Sequence, residues 1–291
     1  MTGELVTAPH HLQWRDRLWG WPLSPWTISN LRGWHDLPPV RSAQVDRPDR
    51  HGVHLGKLRA GARLIEVELT QAADDDGVDL LEDVRDATAL DEDPAEEPLT
   101  IWSGTGEPQT VWARLERRSV PTDWQWSIGH RRVVMQWLAS DPRRYSAGPE
   151  LSASVGLSPP VDGGLEFPLL FPLDFGDSVG AQILRPFNAG NVAVWPLIDL
   201  AGPLMGVRLV SSLTGQVLAF DPAWEIPAGQ TVSVDTGNRS VTLAGVSQRT
   251  RLHTAQWFPL AKKSETPIVV TTTGAYDPAS QVTVRWRHGH M

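Results

Sequence analysis

Residues 188–204 read NAGNVAVWPLIDLAGPL. A turn built on Asn188, Gly190 and Asn191 opens the stretch, and a Gly202–Pro203 step closes it. Between them runs an apolar segment with Pro196 inside. Proline has no N–H to give to a ladder, so a strand over 192–200 is expected to lie at a sheet edge, or to bulge, near Pro196. Further short apolar runs follow to the end of the chain: GVRLVSS (206–212), QVLAF (216–220), TVSVDT (231–236), RSVTLAG (239–245), QWFPLA (256–261), TPIVVTT (266–272) and QVTVRWR (281–287). Turn residues separate them, and none has a helical period. Such spacing predicts a β-sandwich or jelly roll. DTGNRS (235–240) reads as a tight hairpin with Gly237 or Asn238 at positive φ.

The first half is also β-rich. In RLIEVEL (63–69), Ile65, Val67 and Leu69 share one face and Glu66 and Glu68 the other. That period of two marks a half-buried strand. In QTVWARLERRSV (109–120), Val111, Ala113 and Leu115 alternate with Trp112, Arg114 and Glu116. In HRRVVMQWLASDP (130–142), Val133, Met135 and Trp137 share a face. SVPTDWQWSIG between them reads as a connection, with Pro121 and Asp123. One stretch changes period. In DDDGVDLLEDVRDATAL (74–90), Val78, Leu81, Val84 and Ala87 recur every three residues, with Leu80 beside them, as in an amphipathic helix. Asp75 or Asp76 can cap its N-terminus, and DEDPAEEP (91–98) is an acidic, exposed connection. The expected fold class is all-β: an N-terminal β domain with one packed helix, followed by a β-sandwich. The first domain covers 1–147. PELSASVGLSPPVDGG is small, polar and proline-bearing, so a linker is expected over 148–164. The second domain then covers 165–291, beginning with LEFPLLFPLDFG as edge strand or extended chain.

Composition narrows the function. The 291 residues carry a net charge of -8, which argues against a dedicated nucleic-acid binder. Cysteine is absent, which excludes disulfides and thiolate metal sites. The first twenty residues lack the apolar core of a signal peptide, and no apolar run is long enough to cross a bilayer. The expectation is a soluble protein used without secretion or membrane insertion.

Candidate chemistry is sparse. AADDDGVDLLED (72–83) places Asp74, Asp76, Gly77 and Asp83 roughly as a calcium loop would. Its first ligand position is Ala72, however, and the segment already reads as a helix start. Asp91, Asp93 and Glu96 sit around Pro94 in a loop, and Glu66 and Glu68 form the solvent side of a strand. Neither set has the paired environments that would split two carboxyl pKa values for acid–base work. His51 and His54 lie in a turn-rich stretch with no third ligand nearby. No phosphate-binding, dinucleotide-binding or nucleophile-elbow motif occurs. No catalytic residue, metal or cofactor is therefore expected.

The tryptophans stand out: 14 in the chain, with ten before residue 146. Trp14, Trp19, Trp21, Trp26 and Trp34 crowd one short stretch. They suit either a sugar-stacking platform or packing in a core and between subunits, and the latter is the ordinary use of so much large apolar surface. Packing in a core and between subunits is the expectation carried forward, with these five as the inter-subunit candidates.

An ordered set of segments goes further. NAGNVAVWPLIDLAGPL, SSLTGQVLAF, GQTVSVDTGNRSVTLAG and QWFPLA, in that succession, resemble the distal tail protein family of long-tailed siphophages, especially those of actinobacterial hosts. The positions carrying the likeness are Asn188, Gly190, Asn191, Pro196, Gly202, Gly215, Gln216, Asp235, Thr236, Gly245 and Trp257. The N-terminal part, with a late strand running into SDPRRYS, is similar too. The resemblance implies a structural virion protein at the tail tip, assembled in the host cytoplasm. It implies a hexameric ring built by the N-terminal domain around a channel for DNA, with a galectin-like sandwich projecting outward. The implied partners are further copies of the chain, the tail tube protein, and a tail-associated fibre or spike-base protein or other minor tail proteins. DNA is met only in transit, and the acidic chain predicts a channel wall that does not grip it. The alternative is a carbohydrate-binding module that touches host cell-wall glycan.

Overall fold

The computed structural model describes residues 3–71, 80–90, 92, 95–157, 182–274 and 277–291. The chain divides into two compact units: Met1–Gly148 with His290–Met291, and Pro149–Gly289. Both are β-rich, as expected.

The first unit contains strands β1 (His11–Trp14), β2 (Arg17–Trp19), β3 (Trp26–Arg32), β4 (Val40–Ser42), β5 (Val45–Asp46), β6 (Val53–His54), β7 (Leu58–Ala60), β8 (Arg63–Gln71), β9 (Glu97–Trp102), β10 (Gln109–Ser119), β11 (Arg132–Ala139) and β12 (Arg144–Ser146). Its main sheet runs β2-β1-β9-β10-β11-β8-β3. β10 makes the corner. Its first half pairs with β9, from Gln109↔Ile101 to Ala113↔Glu97. Its second half pairs with β11, and the register shifts between Leu115 and Arg117. A bulge of this kind bends a strand and strengthens its twist, so one long strand can serve two directions of sheet. The expected alternation holds: Ile65, Val67, Leu69, Val133, Met135 and Trp137 are each fully buried.

Helix α1 (Leu80–Ala87) delivers Val84 and Ala87 into this core. Its expected N-cap, Asp75 or Asp76, lies outside the described residues. The stretch expected to be a plain connection holds a second, short helix, α2 (Trp124–Ser127). The Asp123 carboxylate caps it, accepting from the amides of Gln125 at 3.1 Å and Trp126 at 3.3 Å.

Beside two short two-stranded sheets, the second unit has two main antiparallel sheets among the described residues. One is six-stranded, in the order Leu151–Gly156, Gln281–Trp286, Leu197–Ala201, Thr231–Asp235, Ser240–Leu243 and Val246–Ser247. The other is five-stranded, in the order Gln182–Leu184, Ile268–Thr271, Arg208–Ser211, Val217–Phe220 and Leu252–Ala255. Each buries one face: Ile198, Leu200, Val232, Val234, Val282 and Val284 from the first, Leu184, Leu209, Leu218, Phe220, Ile268 and Val270 from the second. This is the expected β-sandwich.

Three expectations need correction here. Residues 151–156, expected in a linker, form a strand fully paired with Gln281–Trp286. Polar alternation of the LSASVG kind suits a strand with one solvated face, and composition alone concealed it. Pro196 is not inside its strand. The ladder begins at Leu197, and the strand is central, flanked by Thr231–Asp235 and Gln281–Trp286. The proline sits just outside, where its missing N–H costs nothing, and its carbonyl accepts from the amide (3.3 Å) and the hydroxyl (2.6 Å) of Thr236. In the 235–240 hairpin the positive φ falls on Arg239, at 56°, not on Gly237 or Asn238. The Asp235 carboxylate holds Gly237 and Asn238 instead, accepting both amides at 2.9 Å. LEFPLLFPLDFG lies outside the described residues.

Candidate assembly surfaces

The tryptophans expected between subunits lie mostly inside one protomer. Trp14, Trp19, Trp26 and Trp34 are at most 2% exposed and share a core with Trp137. The rings of Trp14 and Trp137 meet edge-on, with centroids 5.7 Å apart. The reason is register. Trp14 pairs across to Leu99 and Trp19 to Leu12, so both indoles point with the inward residues of a sheet that bends at β10 and needs large side chains to fill its hollow. Only Trp21 of the five is open, at 60%, with Leu23 close behind at 64%. The expectation of inter-subunit packing is therefore wrong for Trp14, Trp19, Trp26 and Trp34.

Beneath this core lies a feature that the strand pattern alone did not bring forward. Arg63 opens β8 and is 1% exposed. Its guanidinium donates to four carbonyls: Pro142 at 2.7 Å, Gly33 at 2.6 Å, Trp34 at 3.0 Å and Asp36 at 2.9 Å. Burial, and then the charge of Arg144, push its pKa down to about 10, which leaves it charged at neutral pH. Arg144 lies over the Trp34 ring and donates to the carbonyl of Met291 at 3.1 Å, tying in the last residue of the chain. It also meets His35 Nδ1 at 3.3 Å. Arginine can only donate, so Nδ1 is the acceptor and Nε2 carries the proton toward Ser103 Oγ, 2.9 Å away. Partial burial first, and Arg144 second, hold the His35 pKa below its usual value. The DPRRYS motif thus has a structural role. Asp141 accepts the Tyr145 hydroxyl at 2.7 Å, and burial together with that carboxylate pushes the phenol's pKa up. The signal for Arg63 was available: it stands in the same alternation phase as Ile65, Val67 and Leu69.

The carboxylates and histidines considered for catalysis or metal binding do not gather. Glu66 meets Arg32 (3.4 Å) and Gln136 (2.5 Å), and Glu96 accepts from the amide (2.6 Å) and hydroxyl (2.8 Å) of Ser140. Asp83 pairs with Arg17 at 3.1 Å. Asp74, Asp76, Gly77, Asp91 and Asp93 lie outside the described residues. His51 sits in a turn and His54 on β6, both exposed. Among the described residues no three metal-ligating side chains cluster.

The signature positions of the second unit keep turns in shape. Asn188 is fully buried and accepts from the amide of Gly190 at 3.0 Å. A Cβ on Gly190 would lie 1.8 Å from the Gly289 carbonyl oxygen, so no larger residue fits. Gly202 is held likewise against Pro227, and Gly215 and Gly245 take positive φ of 69° and 80°. Gln216 donates to the carbonyl of Trp257 at 2.9 Å. Asn191 stands exposed in the same turn, three residues before Val194. The outer face of the five-stranded sheet holds a groove of about 380 Å³. Register places Thr271, Arg208, Ala219 and Thr254 in one cross-strand row along it.

Exposed apolar side chains are unevenly shared. Twelve of the fifteen large ones among the described residues belong to the first unit. Four lie on the ribbons β4–β7 and β5–β6 or in the connection between them: Val40 (45%), Val45 (64%), Leu55 (81%) and Leu58 (70%). Two more, Trp124 (68%) and Ile128 (57%), are on and just after α2.

No protein-family model matches the sequence, and no curated protein sequence does. A solved structure does match: the Dit protein of phage SPP1, described as a paradigm of the hub adsorption apparatus in phages that infect Gram-positive hosts. The TM-score is 0.64 at 14% identity, covering 97% of this chain and 99% of that one. The chain has the fold of a phage Dit protein. The baseplate of phage P2 in its activated, calcium-bound conformation also aligns, at a TM-score of 0.48 and 10% identity over 92% of this chain. The Dit fold accounts for both units, since the alignment to the SPP1 protein runs over nearly the full length of each chain.

Proposed function

We propose that the protein is a structural component of a phage tail tip. In this reading six copies close a ring that joins the tail tube to the tail-tip proteins, and DNA passes through its channel. The first unit builds the ring, and the sandwich stands outside it. Full-length likeness to a Dit hub protein is the observation that carries the reading. The concentration of exposed apolar surface on the first unit supports it. Scaffold function also fits the site residues, whose hydrogen bonds are spent on backbone carbonyls and turns. Negative-stain images of the purified chain test the proposal. Closed rings with a central hole are expected; a field of single small particles at high protein concentration would contradict it.

The groove on the second unit favours a second reading, contact with host glycan. Arg208 has no ion-pair partner among the described residues and stands in a row of hydroxyls. Binding of cell-wall polysaccharide that Arg208→Ala abolishes would support it, and equal binding by the variant would remove it.

A further inference from the structure

The chain between β3 and β8 folds into a two-ladder arm. β4 pairs with β7 and β5 with β6, and among the described residues each is a two-stranded sheet with no third strand. None of residues 39–62 is buried. An isolated two-stranded ribbon is marginal in water, and both its edges remain open to pairing. The arm is also two-faced. Val40, Leu58 and Ala60 share one side of the β4–β7 ladder, while Arg41 and Arg59 stand directly opposite each other on the other side. Like charges in that position repel. Residues 40–60 hold five lysines and arginines against two aspartates, in a chain whose net charge is -8. Arg50 pairs with Asp49 at 3.1 Å. The side chains of Arg41, Lys57 and Arg59 meet no carboxylate among the described residues.

Helix α1 has the inverse problem. Glu82 and Asp86 are exposed and one turn apart, a like-charged i, i+4 pair that weakens a helix. Neither has an ion-pair partner among the described residues, and Arg85, the helix's only cation, bridges to neither. Exposed Leu90 (72%) and Glu92 follow immediately. Each element therefore leaves unrelieved what the other could relieve: a cation pair on one face of the arm, and a carboxylate pair on the helix.

We infer that the arm of one protomer docks on the α1 surface of the next copy. Arg41 and Arg59 then face Glu82 and Asp86, while Val40 and Leu58 lie on the arm's other face, turned away from the helix. The contact is heterologous, since the arm of one copy meets the helix of another. Repeated by rotation it closes a ring, and otherwise it would run on as a filament. This inference deepens the proposed ring and rests on it.

The test exploits the asymmetry. The arm variant is R41E/R59E and the helix variant E82K/D86K, both made in the full chain. All four positions are exposed, so melting temperatures within about 2 °C of wild type are expected for surface changes of this kind. At low salt, where surface charges act at longest range, native mass spectrometry should show the wild type assembled and each variant alone monomeric. Mixed one to one, the two variants should assemble in strict alternation, because every arm now meets a helix of opposite charge. Only an even-numbered ring can close this way. Variants that assemble alone as the wild type does, or a mixture that stays monomeric, would overturn the arm's role while leaving the ring intact. A wild-type chain that is itself monomeric would instead overturn the ring.

Discussion

The two units solve the same problem, stabilising stacked antiparallel sheets, in different ways. The second fills its core mainly with valine, leucine and isoleucine from two sheets of five and six strands, joined by Phe220 and Phe258, and it leaves three large apolar residues exposed among those described. The first bends one sheet around a hollow, fills it with five tryptophans and a buried arginine, and leaves twelve exposed. A flat sandwich closes on itself. A bent sheet with an outlying arm does not, and its unspent surface is what an assembling unit needs.

The largest expected effect separates the cores. Trp137→Ala should cost about 3–5 kcal/mol, because a fully buried indole leaves a cavity its neighbours cannot fill. Urea denaturation should show the first unit's transition falling while the second's stays in place. If the second falls equally, the two cores are not independent.

Next comes Arg63. Replacing it by Met strips donors from four carbonyls, with an expected loss of about 3 kcal/mol in the first unit. Arg63→Lys should not restore it, since an ammonium cannot reproduce the planar fork. Recovery by lysine would show that charge, not geometry, is what the site uses. The counterpart in the second unit is Gly190→Ala, whose new Cβ would drive into the Gly289 carbonyl. About 2 kcal/mol should be lost from the second unit alone.

The smallest effect is a pH dependence confined to the first unit. The His35 pKa is lower in the folded chain than in the unfolded one. Unfolding therefore takes up a proton once the pH drops below the unfolded value, about 6.5, and stability declines as the pH falls further, down to the folded pKa. Above about 6.5 the group has no effect. His35→Asn should flatten the first unit's melting temperature as the pH falls below about 6.5, and an unchanged slope would assign the effect elsewhere.

The sequence revealed the strands through their period of two, most clearly in RLIEVEL and HRRVVMQWLASDP. It revealed α1 through its period of three to four. It misjudged Pro196, because a proline one residue outside a ladder looks the same in sequence as one inside it. It allowed the tryptophans a core but misplaced Trp14, Trp19, Trp26 and Trp34 between subunits, because composition counts large side chains and cannot say whether a bent sheet has room for them. The arm escaped notice because two- and three-residue strands such as β5 and β4 are too short for any period to register. Arg63 was legible in principle: an arginine in the inward phase of a buried strand must find acceptors.

The central claim is that assembly belongs to the first unit. The most direct measurement is sedimentation of the full chain beside residues 149–289, at matched concentrations and low salt. The account predicts a full-length species of about 193 kDa, six copies of 32.1 kDa, and a folded, monomeric second unit. A monomeric full chain, or a second unit that assembles without the first, would contradict it.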